Sequence, residues 1–233
     1  MRLAIMGSGG VGGYFGARLA EAGQEVTFIA RGEHLAEMRR HGLRVSSIEG
    51  DLHLPEVKAT DDPAKAGAMD AVLVAVKSWQ VAEAARAIRP MIGPDTFVVP
   101  LENGVEAADI LADRLGQAHV LDGLCGILAW REAPGHIRHA GVSPFVRFGE
   151  RDHRRSKRAE RLKAAFDQAR GVTAEIPDDI QVAVWSKFLF ICAMSGIGSV
   201  TRAPIGVTRS LPETRTMIGQ ILAEIEVVAR ARG

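Results

Sequence analysis

Apolar residues occur along this chain in short blocks separated by amphipathic stretches. Residues 3–6, 26–30, 71–76, 97–100 and 120–124 read as strands, and 11–22, 79–91 and 107–115 repeat apolar residues at helical spacing. Strands that are apolar on both faces, alternating with helices, predict a parallel sheet covered on both sides.

The pattern then changes. Between residues 42 and 58 polar and apolar positions alternate around Glu49-Gly50-Asp51, which predicts a small hairpin decorating the sheet. Residues 126–130, 136–139 and 145–149 read as antiparallel strands separated by Ala-Pro-Gly and Ala-Gly turns. An amphipathic helix over 154–170 and a short strand over 173–176 follow. Pro177-Asp178-Asp179 is a break and then a helix start, because an aspartate there can cap free amides. The expected division is therefore a domain over 1–177 and an all-helical domain over 178–233. In the second, 180–194 and 214–232 carry helical patterns, with Gly233 as a C-terminal cap. Ile218, Ile221, Leu222, Ile225 and Val228 form an apolar stripe, read as intrachain packing with a homodimer face as the alternative.

With 233 residues, 47% hydrophobic and 24% charged, the chain has the balance of a globular protein with a substantial core. A net charge of +1 supplies no bulk attraction to nucleic acid or an acidic membrane. The basic cluster over 151–163 is interleaved with acids and reads as a solvated helix face. No apolar run is expected to reach the ~18 residues of a membrane span, and the N-terminus does not read as a signal peptide. Cys125 and Cys192 lie among apolar residues and read as buried free thiols in a reducing compartment, without metal spacing. These features predict a cytoplasmic protein with no nucleic-acid, membrane or metal partner.

Gly7-Ser8-Gly9-Gly10-Val11-Gly12 fits the spacing GxGxxG, directly after the first strand and at the start of a helix. Gly7 is expected to make the tight turn, Gly9 to let a pyrophosphate approach the backbone, and Gly12 to let helix and strand pack closely. The helix N-terminus would face the phosphates. The second strand ends in Ala30-Arg31-Gly32, without the acidic residue that holds a ribose 2′-hydroxyl. The Arg31 guanidinium suits a 2′-phosphate, so the expected cofactor is NADPH; Glu33 is read as part of the next helix start. The fold class is α/β, a Rossmann-type doubly wound parallel sheet with a C-terminal all-helical domain.

Three further motifs line up: Lys77-Ser78-Trp79-Gln80 and Glu102-Asn103-Gly104, each after a strand, and Trp185-Ser186-Lys187 in the helical part. From the residues alone, Lys77 is equally a surface lysine or a site residue, while Asn103-Gly104 reads more readily as a turn and Lys187 as a snorkelling side chain. Together with the loop and Arg31, the chain resembles the 2-dehydropantoate 2-reductase (ketopantoate reductase) family. The resemblance implies that Lys77 and Asn103 lie near the nicotinamide ribose and substrate, that the backbone of Ala129 approaches the nicotinamide, and that Lys187 is catalytic. Hydride transfer to a ketone creates an alkoxide, and a lysine can supply both the proton and a positive neighbour. The implied reaction is NADPH-dependent reduction of a 2-oxo acid, with 2-dehydropantoate as the named substrate and pantothenate biosynthesis as its setting.

Two departures stand out. Family members commonly carry asparagines four, eight and eighteen residues after the lysine; here those positions are Ile191, Ser195 and Ile205. Members also continue past residue 233, and their later helices carry a serine and an acidic residue for substrate that nothing here matches. A reductase of a less polar 2-oxo acid and a non-catalytic NADPH-binding protein are the alternatives.

Overall fold

The computed structural model describes residues 1–232; the expected cap Gly233 lies outside the described residues. In β1 (Arg2–Met6) the alternation of a strand sends Leu3 and Ile5 to one face and Ala4 to the other, all fully buried. The chain continues through α1 (Gly10–Glu21), β2 (Glu25–Ile29), α2 (Gly32–His41), β3 (Leu43–Ser47), β4 (Leu52–Leu54) and β5 (Lys58–Thr60). Next come β6 (Ala71–Val74), α3 (Val81–Ala87), β7 (Phe97–Pro100) and α4 (Ala107–Leu115). After these run β8 (Asp122–Ala133), β9 (His136–Gly149), α5 (Lys157–Asp167) and β10 (Thr173–Glu175). Three helices, α6 (Ile180–Thr201), α7 (Ile205–Ser210) and α8 (Pro212–Ala231), complete it.

Two compact units divide these elements: residues 1–102 with 106–180, and residues 103–105 with the chain from Gln181 onward. The first unit holds two sheets. One is parallel throughout, in the order β5-β2-β1-β6-β7, with Ile5 paired to Phe28 on one side and Leu73 on the other. The other runs β10-β9-β3-β4, with β8 paired antiparallel to β9.

Helix α1 lies between the sheets, which explains why it is buried from Gly12 to Leu19 rather than along one stripe. Its Tyr14 and Phe15 are fully buried, and Phe15 meets Phe166 of α5 edge to face at 6.2 Å. Each such ring contributes roughly 2–3 kcal/mol of burial. The opposite face of the parallel sheet is covered by α3 and α4, through Val81, Ala84, Ala85, Ala108 and Leu111 against Val72, Val74 and Val98.

Several expectations are corrected here. The stretch 120–124 is not a full strand of the parallel sheet: Val120 makes one parallel bridge to Val98, and the chain then enters β8. The outer strand is instead β5, whose Lys-Ala-Thr sequence is too short and mixed to stand out as an apolar run. The hairpin β3–β4 is no decoration, since β3 pairs in parallel with β9 and belongs to the second sheet. Only one of the two expected turns among residues 126–149 reverses the chain. Gly135, at φ 69°, makes the β8–β9 turn. Ala140-Gly141 instead opens a bulge, because pairing resumes beyond it between Gly126 and Phe145. Helix α6 runs to Thr201, and α7 was not expected.

The basic cluster is met by acids: Arg158 forks onto Glu150 at 2.7 and 2.6 Å, and Lys163 reaches Asp167 at 2.7 Å. Cys125 is buried, as expected, but Cys192 is only partly so. Desolvation still moves the Cys192 thiol above its ordinary pKa. The expectation that no run reaches membrane-span length is also corrected. Helix α6 has 22 residues with Lys187 as its single charge, enough by length and composition alone.

Candidate functional site

The turn between β1 and α1 assigns its glycines to different tasks. Gly7 has φ 97°, and a Cβ there would stand 2.9 Å from both the Ala75 carbonyl oxygen and Val76 Cγ1. A Cβ at Gly12 would come 2.1 Å from the Gly7 carbonyl oxygen and 2.7 Å from Ile5 Cγ2. At Gly10 it would meet the Ala129 carbonyl oxygen at 2.3 Å, so β8 lies directly on the start of the helix. Gly9 differs: a Cβ there meets nothing within 4 Å, and that side of the loop is open. Val11 is half-buried in the first turn of α1.

Ser8 is turned inward. Its N–H and its hydroxyl both donate to the Ile29 carbonyl, at 3.3 and 3.1 Å, and the residue is 3% exposed. This binds the loop to the last residue of β2, two positions before Arg31. Arg31 itself is exposed and occupies the N-cap position of α2, with Glu33 in the first turn. The ring of His34 is buried behind the loop. Its Nε2 lies 2.7 Å from the Ser8 carbonyl oxygen, and its Nδ1 accepts the Gly135 N–H at 2.9 Å. Burial lowers the pKa of His34 below the ordinary imidazole value, the nearby Arg131 charge acts in the same direction, and the Ser8 hydrogen bond opposes both.

At the carboxyl ends of β6 and β7, Lys77 and Asn103 are exposed and Glu102 is buried. Glu102 Oε1 accepts the Val76 N–H at 3.2 Å, while Oε2 has no hydrogen-bond partner among the described residues. Burial raises its carboxyl pKa to about 7 against hydrogen bonds that would lower it. Sequence reading passed over Glu102 and His34 as functional groups. A carboxylate abutting the apolar run 97–101 and a histidine three residues after Arg31 were the available signals.

In the second unit, Lys187, Ile191 and Ser195 follow one another at four-residue spacing on α6 and so share a helix face. Lys187 and Ile191 are half-buried and Ser195 is exposed. Lys187 is therefore not an ammonium sealed in a core: the surrounding apolar helix is itself partly open, with Phe190 55% exposed. Ile205, at the start of α7, is 39% exposed.

A parallel sheet whose first βα turn is an open glycine loop is the architecture of dinucleotide-binding proteins. The open side at Gly9, the helix N-terminus behind it and the exposed guanidinium after β2 all fit such a ligand. Residues 3–153 match the family model described as ketopantoate reductase PanE/ApbA, and residues 179–233 match the model of its C-terminal part. A 2-dehydropantoate 2-reductase of Nostoc is 30% identical over all of this chain and 73% of its own length. An uncharacterized oxidoreductase of Bacillus subtilis, YkpB, is 31% identical over all of this chain and 76% of its own. The crystal structure of 2-dehydropantoate 2-reductase from Geobacter metallireducens superposes with TM-score 0.93 at 32% identity, covering all of this chain and 76% of that one. The chain belongs to the ketopantoate reductase family. It is thereby an oxidoreductase of a family that reduces 2-oxo acids.

Proposed function

We propose that this protein reduces 2-dehydropantoate to pantoate, a step of pantothenate biosynthesis, with NADPH as the reductant. The observation that carries the cofactor choice is Arg31, an exposed guanidinium at the N-cap of α2, where an NAD-preferring site holds an acid. When bound, the nicotinamide supplies the hydride. In the loop Gly7 to Gly12 the N–H groups of Gly7 and Ser8 are spent on the Ile29 carbonyl, and those from Gly9 onward meet the pyrophosphate. Lys77, Asn103 and the Ala129 backbone border the nicotinamide end. Lys187 delivers its Nζ proton to the ketone oxygen as charge develops there. In this reading residues 1–177 bind the cofactor, and residues 178–233 supply Lys187 and the substrate-facing Ile191 and Ser195. The setting is the cytoplasm, which the unbridged Cys125 and Cys192 support.

One observation favours a second substrate. Ile191, one turn from Lys187, is half-buried and apolar, and it offers a ketone-bearing chain no hydrogen bond. A site with fewer amide partners rejects a less polar 2-oxo acid less strongly. The test is NADPH oxidation by the purified protein across a panel of 2-oxo acids that includes 2-dehydropantoate. Fastest turnover of 2-dehydropantoate supports the first reading, and fastest turnover of a less polar acid supports the second. Oxidation with none of them would overturn both. A homodimer built on the α8 stripe is part of neither reading.

A further inference from the structure

His34 sits where three elements meet: the glycine loop, α2 and the β8–β9 turn. Its two ring nitrogens face partners of opposite kind. Gly135 N–H can only donate, so Nδ1 must be the unprotonated acceptor. The Ser8 carbonyl can only accept, so Nε2 carries the hydrogen and donates to it. Both contacts are satisfied only by the neutral ring with its proton on Nε2, the state that burial favours.

The consequence lies one bond further on. The peptide joining Ser8 to Gly9 is trans, so its C=O and its N–H point in opposite directions. A carbonyl held inward by His34 turns the Gly9 N–H outward. That N–H donates to no acceptor among the described residues, and among the glycines at positions 7, 9, 10 and 12 of this loop only Gly9 has an added Cβ that meets nothing within 4 Å. We propose that His34 is a positioning residue of the cofactor loop, whose Nε2–H holds the Ser8 carbonyl inward so that the Gly9 N–H is presented to the cofactor pyrophosphate. The same ring ties that loop to Gly135, whose own carbonyl accepts from Arg44 N–H at 2.9 Å, and so borrows the rigidity of the second sheet. This inference rests on the reading of the glycine loop as a dinucleotide site.

The experiment compares wild type, His34→Ala, His34→Gln and His34→Asn by equilibrium titration with NADPH and with 2′-AMP, which has the 2′-phosphate but no pyrophosphate. Glutamine can place an N–H near the position of Nε2; asparagine is too short to do so. His34→Ala and His34→Asn should bind NADPH about tenfold more weakly, the size of one aligned hydrogen bond, with 2′-AMP affinity unchanged. In turnover the loss should fall on the KM for NADPH, with kcat within about twofold of wild type. His34→Gln should restore most of the affinity. If the alanine variant does not fold, the glutamine and asparagine pair decides. Unchanged NADPH affinity in His34→Asn, or equal losses for NADPH and 2′-AMP, would overturn the proposal. A wild-type chain that binds neither NADPH nor NADH would remove the dinucleotide reading itself, and this inference with it.

Discussion

Glu102 Oε1 accepts the backbone N–H of Val76 at 3.2 Å, so a buried carboxyl at the end of β7 pins the end of β6. Val76 in turn packs where any side chain at Gly7 would have to go. The carboxyl thus supports the wall of the glycine loop, next to Lys77 and Asn103.

That carboxyl should make stability depend on pH. Its folded pKa is raised from 4.5 to about 7 by burial, so the folded state holds the proton more tightly than the unfolded chain. Stability from this group is fully present below the unfolded value and is lost as pH rises through the folded value. At about pH 8 the charge costs on the order of 3 kcal/mol. Glu102→Gln removes the charge and keeps the shape. Its melting temperature should exceed that of wild type by roughly 5–10 °C at about pH 8 and by little at about pH 5. Parallel melting curves across that range would remove Glu102 as the titrating group.

The glycines should separate folding from binding. Gly12→Ala drives a methyl into the Gly7 carbonyl, which overpacks a site without room to yield. It should cost about 1–3 kcal/mol and lower the melting temperature by several degrees. Gly9→Ala faces open space and should melt as wild type does while binding NADPH at least about tenfold more weakly. Calorimetry and cofactor titration on both variants check this. Loss of stability in Gly9→Ala would contradict the open side of the loop.

Arg31→Ala should weaken NADPH about 10- to 100-fold and leave NADH almost untouched, because a charge-assisted fork is lost only with the 2′-phosphate. Titration of the two nucleotides against both proteins gives the comparison directly. Equal losses would reject Arg31 as the 2′-phosphate contact.

Lys187→Ala should lower kcat by roughly 10²- to 10⁴-fold with NADPH affinity preserved. Steady-state rates beside cofactor titrations distinguish this from general disruption. Full turnover without the lysine would eliminate its role as proton donor.

The parallel sheet was legible because its central strands are apolar on both faces, and the glycine spacing could be read between two of them. Arg31, Lys77 and Lys187 could be marked as candidates because their types and positions follow strand ends or interrupt an apolar helix. His34 and Glu102 were not legible in that way. The ring acts through Gly135, 101 residues away, and the carboxyl through Val76, 26 residues away. No local pattern encodes such pairs. The second sheet was hidden for a related reason: β3 joins β9 across more than 90 residues, and a hairpin signal carries no information about which strand will pair with its outer edge.

The sequence by itself determined the local devices: alternation and apolar runs that select strand or helix, glycines where the backbone must turn, and a cation rather than an acid after β2. Only the tertiary structure decided what each device faces. It assigned Gly9 to open space and Gly10 and Gly12 to contacts, turned the Ser8 hydroxyl inward, and buried Glu102 while leaving Asn103 exposed. Conformational preference is set by neighbours in the chain, whereas burial and hydrogen-bond partnership are set by neighbours in space.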